Sequence, residues 1–150
     1  MATIDGIDGL RKLQGQELGT SSWREITQEQ VNGFADATGD WQWIHVDVER
    51  AKDGPFKTTI AHGYLTLSLI PVISADVAQV TGIKLALNYG LNKVRFPQPV
   101  PVGSRVRGIV RNLSVDDVPG GVQAVNQVTI EMEGATKPVC VAETVVRYLA

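Results

Sequence analysis

Asp40 and His45 stand five residues apart in Thr38-Gly39-Asp40-Trp41-Gln42-Trp43-Ile44-His45. A carboxylate and an imidazole that reach the same water can hold and polarise it, and acid–base transfer requires that reach. An imidazole with an ordinary pKa of about 6.5 changes charge near neutral pH, which suits it to take and return a proton. Further along, Ala61-His62-Gly63 opens an apolar stretch. If a helix begins there, its first N–H groups lack partners and carry partial positive charge. Gly63 leaves room for a carbonyl oxygen to approach closely, the arrangement of an oxyanion hole. Water activation beside an oxyanion hole suits addition or removal of water at a carbon activated by a carbonyl. Each residue also has an ordinary structural use. An Asp after a helix caps or turns the chain, a His packs, and His62-Gly63 reads equally as a plain helix start.

The flanking sequence specifies how these residues are carried. Thr27-Gln28-Glu29-Gln30 has the capping-box pattern, with the Thr27 hydroxyl set to cap a helix and Gln30 to reciprocate. Val31, Phe34 and Ala35 then share one helical face, and Gly39 suits the left-handed position that ends a helix. Asp40 therefore lies just past a helix stop. Asp47 to Lys52 reads as one helical turn, and Gly54-Pro55 marks a loop. From about Ala61 the chain reads as its longest helix. Tyr64, Leu65, Leu67, Leu69, Ile70, Val72 and Ile73 make it apolar on nearly all sides, which predicts burial. Pro71 is expected to kink or divide it. Upstream, Asp5 to Leu13 reads as a short helix and Leu18 to Trp23 as a modest strand.

After Gly82 the pattern becomes that of a sheet. Ile83 to Phe96 alternates, with a change of parity at Gly90-Leu91-Asn92 that predicts a bulge or a bend. Pro97 to Pro101 reads as a loop or a bent edge. Val106 to Val115, Val122 to Met132 and Val139 to Tyr148 predict three strands of an antiparallel meander, separated by Pro119-Gly120-Gly121 and Gly134. The fold class is α+β in one domain spanning residues 1–150. One long helix is wrapped by a sheet of about five strands.

Composition narrows the partners. The chain has 150 residues, 43% of them hydrophobic and 20% charged, with a formal net charge of -2. That balance argues against nucleic acid or an anionic membrane surface as a general partner. The single cysteine, Cys140, lies in the apolar alternating run Val139-Cys140-Val141 and reads as a small buried hydrophobe. No Cys/His cluster has zinc spacing, so no metal is expected. The N-terminal residues lack a basic segment followed by an apolar core, so no signal peptide is expected. Leu65 to Val80 is shorter than a membrane span and contains Pro71 and Asp76. The expected setting is the reducing cytoplasm.

Three segments carry a family resemblance: Phe34 to Ala51, Thr59 to Leu69 and Asn88 to Gly103. The matching residues are Phe34-Ala35, Thr38-Gly39-Asp40 and Ile44-His45-Val46-Asp47, then Ile60-Ala61-His62-Gly63, then Val94-Arg95-Phe96, Pro99-Val100 and Gly103. In this order the chain resembles the MaoC-like hydratases, the (R)-specific enoyl-CoA hydratases also called enoyl-CoA hydratase 2. The resemblance implies a hot-dog fold and a homodimer whose sheets join edge to edge. It implies a trans-2-enoyl thioester of coenzyme A as substrate, hydrated reversibly to the (R)-3-hydroxyacyl thioester. By carry-over, Asp40 and His45 are the catalytic pair and Gly63 offers its N–H to the thioester oxygen. No separate cofactor is implied, coenzyme A being part of the substrate.

One departure falls inside the motif. Many relatives have Asn-Pro between the Asp and the His, where this chain has Gln42-Trp43. The departure bears on loop shape and acyl-chain preference, and Trp41 and Trp43 are candidates either to line the pocket or to pack the loop. Lys93, Arg95, Arg105 and Arg107 read as solvated strand faces, with coenzyme A phosphates the alternative partners for one or two of them. The runner-up function is a hot-dog acyl-CoA thioesterase, because fold alone does not separate the two. A non-catalytic subunit that binds acyl thioesters is the third reading.

Overall fold

The computed structural model describes residues 1–150. β1 (Ala2–Asp5) leads into α1 (Gly6–Lys12), followed by β2 (Glu17–Thr20) and the two-residue β3 (Arg24–Glu25). α2 (Gln28–Thr38) starts and stops as its sequence predicts. The Thr27 hydroxyl accepts from the Gln30 N–H at 3.1 Å, and Gly39 ends the helix at φ 82°. A residue with a Cβ is disfavoured at that φ, so glycine terminates the helix at little cost. α3 (Trp43–Val46) and α4 (Val48–Ala51) are single turns, the second capped by the Asp47 carboxylate on the Arg50 N–H at 3.1 Å.

The expected long helix is two segments, α5 (Gly63–Ser68) and α6 (Ile70–Val77), which meet at Leu69. Pro71 has no N–H to give to Leu67, so the ladder is interrupted there. The Leu69 N–H turns to Thr66 O at 3.1 Å, and regular bonding resumes from the Ile73 N–H to Leu69 O at 2.9 Å. The longest single helix is consequently α2, with 11 residues. Burial of the helix pair is also one-sided. Leu65, Leu69, Ile70, Ile73 and Val77 are buried, whereas Tyr64 is 69% exposed and Val72 40%. Tyr64 meets the Phe96 ring edge-on, with centroids 6.3 Å apart, and still stays largely exposed.

β4 (Ala78–Thr81), β5 (Leu85–Arg95), β6 (Arg105–Val118), β7 (Gly121–Met132) and β8 (Cys140–Leu149) complete the chain. The main sheet has six strands, in the order β2-β6-β7-β8-β5 with β3 also on β6. The expectation was about five, and β3 is too short to carry an alternating pattern. β6, β7 and β8 form the expected antiparallel meander. β5 shifts register at Asn88/Gly90 and again at Leu91/Lys93, which is the expected bulge. A separate parallel pair, β1 with β4, joins chain positions too distant to announce each other in sequence.

Helix and sheet share one core. Val31 from α2, Ile73 from α6, Val106 and Val110 from β6, Val128 and Ile130 from β7 and Cys140 from β8 are all buried in a single cluster. Burying each large side chain stabilises by about 1.5–3 kcal/mol. Gly108 is where α6 touches β6, since a Cβ there would overlap the Ile73 methyl. Ser21 braces the same point, its N–H donating to Gly108 O at 2.8 Å and its hydroxyl accepting from the Gly108 N–H at 2.9 Å. No helix is long and apolar enough to cross a membrane.

Candidate active site

His45 sits in the single turn α3 and is buried. Its Nδ1 lies 2.7 Å from the carbonyl oxygen of Ile60. A carbonyl only accepts, so Nδ1 carries the proton and Nε2 keeps its lone pair. The turn is clamped from both sides. The Ile60 N–H donates to Ile44 O at 3.0 Å, and Gln28 on α2 donates from Nε2 to His45 O at 2.8 Å. The Gln28 carbonyl oxygen accepts from the Thr59 hydroxyl at 2.6 Å, tying the same segment to α2. Burial, which disfavours the charged ring, lowers the His45 pKa below its ordinary 6.5. His62 adds to that lowering, while the bond to Ile60 and the Asp40 charge oppose it.

Asp40 occupies the turn after α2 and is exposed. Its carboxylate accepts from the Gln42 N–H at 3.4 Å, and its own N–H donates to the Thr38 hydroxyl at 3.4 Å. Both are long bonds. One oxygen of Asp40, one ring nitrogen of His45 and one of His62 lie within 4.8 Å of one another. The pair read from sequence is therefore assembled, with the carboxylate on the solvent side and the imidazole on the protein side.

Gly63 is the first residue of α5, so its N–H precedes the hydrogen-bond ladder. Gly63 and His45 line the same cleft of about 290 Å³, together with Thr66, Phe96 and Val139. A Cβ on Gly63 would lie 3.1 to 3.3 Å from the Phe96 ring, so glycine is what keeps this wall open. Neither tryptophan of the motif lines the cleft. Trp43 packs within its loop, stacked under the Arg50 guanidinium at 4.2 Å and pressed against Gly54. Trp41 is 51% exposed.

The sequence marks His62 only as a helix start, yet its side chain reaches both members of the pair. It is the N-cap residue of α5 and 2% exposed. Its Nε2–H donates to the Asp40 carbonyl oxygen at 3.0 Å. Its ring stacks on His45 with centroids 3.9 Å apart and planes at 24°, and packs against Phe34 on another side. Its Nδ1 is buried without a partner. The signal in sequence was a polar ring inside an otherwise apolar stretch. Stacked rings hold their lone pairs in nearly parallel planes, which do not converge on one point about 2.0–2.1 Å from each nitrogen. The cluster is thus better built to handle protons than to chelate an ion.

Other candidates lie elsewhere. Arg105 pairs with Glu133 at 3.0 Å, Arg107 pairs with Glu131, and both guanidinium groups pack on Trp23. Burial pushes the Cys140 thiol up to about 11, so it holds no thiolate near neutral pH.

Comparisons with known proteins bear on the family and the fold. Residues 10–134 match the MaoC like domain family. The 3-hydroxyacyl-thioester dehydratase Z of Mycobacterium tuberculosis is 57% identical over 151 residues, covering 100% of both chains. Nodulation protein N of Rhizobium leguminosarum bv. viciae is 43% identical, covering 89% of this chain and 86% of its own. Among solved structures, the unliganded R-hydratase PhaJ1 of Pseudomonas aeruginosa superposes with a TM-score of 0.70 at 26% identity, over 91% of this chain and 81% of that one. The (R)-hydratase of A. caviae shares the fold at 24% identity, with a TM-score of 0.72 over 89% and 94%. The architecture common to them is the hot-dog α+β fold.

Proposed function

The chain belongs to the MaoC-like dehydratase family and is an enzyme of the hydratase–dehydratase class, and from that premise we propose that it hydrates a trans-2-enoyl thioester of coenzyme A reversibly to the (R)-3-hydroxyacyl thioester. The observation that carries the reading is the meeting of three groups. A neutral imidazole and a helix-start N–H line one cleft, and the Asp40 carboxylate, which is not part of the cleft lining, lies within 4.8 Å of a ring nitrogen of that imidazole.

The thioester carbonyl withdraws electrons from the double bond and makes the β-carbon electrophilic. A water held between Asp40 and His45 attacks that carbon. His45 Nε2 takes one water proton as the C–O bond forms, and the Asp40 carboxylate orients the water through its other O–H. The π electrons move to the α-carbon and the thioester oxygen, where the Gly63 N–H stabilises the developing charge. The imidazolium then returns its proton to the α-carbon on the same face. Atoms and charge balance within the pair, so the reaction calls for no cofactor beyond the coenzyme A of the substrate.

The active form in this reading is a homodimer in the cytoplasm. β5 is a terminal strand of 11 residues, paired only with β8, and it exposes Leu85, Leu87, Tyr89 and Leu91. Proteins rarely leave so long an apolar edge uncovered, and a second copy pairing edge to edge would cover it. Sedimentation is expected to give twice the 16.2 kDa chain mass; a monomer at micromolar concentration refutes the dimer.

The activity is tested by following loss of the conjugated enoyl-thioester absorbance across a chain-length series, with chiral analysis of the product. Release of free thiol from saturated acyl-CoA, without hydration, would instead establish the thioesterase.

A further inference from the structure

We infer that His62 is a positioning residue that aligns both members of the hydration pair, acting on Asp40 through its Nε2–H and on His45 through its ring. The inference rests on the hydratase reading and goes beyond it, because neither the pair nor the oxyanion donor includes this side chain.

Asp40 needs external support. It lies past the end of α2, is exposed, and its local side-chain and N–H bonds are both 3.4 Å long. The bond from His62 to its carbonyl oxygen, at 3.0 Å, is shorter than either and comes from a buried donor. The same ring lies 3.9 Å from the His45 ring and limits its tilt from one face. The next residue along the chain is Gly63, so one side chain links the carboxylate loop, the imidazole turn and the start of α5.

The unpartnered Nδ1 separates a functional role from plain packing. A buried polar atom without a partner costs stability, and a phenyl ring would fill the same stacked position between Phe34 and His45 without that atom. A side chain kept only for packing has no use for the imidazole. What an imidazole adds here is the N–H aimed at Asp40.

The test compares His62→Phe and His62→Gln with the wild-type protein, using a short trans-2-enoyl-CoA, thermal unfolding, and the NMR signal of the Trp41 indole N–H beside Asp40. H62F keeps the ring and loses the donor. It is expected to melt at or above the wild type, to keep KM, and to lose on the order of 10²-fold in kcat, the scale of a misplacement of about 1 Å. H62Q restores a donor at the Nε2 position and is expected to recover part of the lost kcat. The Trp41 signal should shift in H62F and move back in H62Q.

Wild-type kcat in H62F overturns the inference. So does a loss of kcat in both variants that only follows a loss of melting temperature. If H62F fails to fold, a natively folded H62Q with a Trp41 signal as displaced as in a loop-loosening Gly39 variant also overturns it. Absence of enoyl-CoA turnover in the wild type sinks the hydratase reading instead, and the Trp41 signal still decides whether His62 holds the Asp40 loop.

Discussion

His45 donates a hydrogen bond from Nδ1 to the carbonyl oxygen of Ile60 at 2.7 Å. That contact selects one tautomer and leaves Nε2 as the ring's proton acceptor. Ile60 immediately precedes Ala61-His62-Gly63, so the segment that fixes the His45 ring also leads into the start of α5.

Replacing either member of the pair should stop the chemistry and spare the fold. Asp40→Asn keeps the shape but not the charge, and His45→Gln removes the ring base. Loss of a positioned acid or base costs about 10²–10⁴ in rate. Both variants are expected to fall by at least that much in kcat on a short enoyl-CoA, with wild-type circular dichroism. Near-normal turnover in either would remove that residue from the mechanism.

The pH dependence follows from the direction of the His45 shift. Burial holds its pKa below the ordinary 6.5. Protonation of Nε2 abolishes the base, so activity should fall as pH drops through this lowered value. The acid limb of kcat/KM is therefore expected to have its midpoint below 6.5. A midpoint at or above that value, or an NMR titration of the His45 ring there, contradicts the assignment.

Gly63→Ala keeps the N–H but places a methyl group 3.1 Å from the Phe96 ring. The ring or the helix start must shift by a few tenths of an ångström. Hydration should fall by about 10- to 10²-fold in kcat/KM, with melting nearly unchanged. A double variant with Phe96→Leu should recover part of the loss, and steady-state kinetics of the two read this out.

Gly108→Ala tests the contact of helix and sheet. The added methyl overlaps Ile73, which is fully buried. Overpacking of this kind costs about 1–3 kcal/mol, and each kcal/mol lowers Tm by about 2–4 °C in a protein of this size. Calorimetry showing an unchanged Tm would mean that α6 does not press on β6 as described.

Local rules made much of the fold legible. The Thr27 cap, the Gly39 stop, the break at Pro71, the bulge in β5 and the three-strand meander all depend on neighbouring residues, and sequence preserves neighbours. The pairing of β1 with β4 and of β3 with β6 does not, because those partners meet only after the chain has folded back. The same distinction runs through the site. The resemblance carried by three motifs, more than the spacing of Asp40 and His45 alone, singled out that pair, and the apolar stretch after Gly63 marked a helix start. Burial decided the rest. Which nitrogen of His45 is free depends on a carbonyl fifteen residues away, and the reach of His62 to Asp40 spans twenty-two. Side-chain type and spacing thus offered a candidate chemistry, and the family resemblance is what singled it out. Only tertiary packing, by bringing two rings and a carbonyl into contact, decided which tautomer His45 adopts and which ring stacks on it.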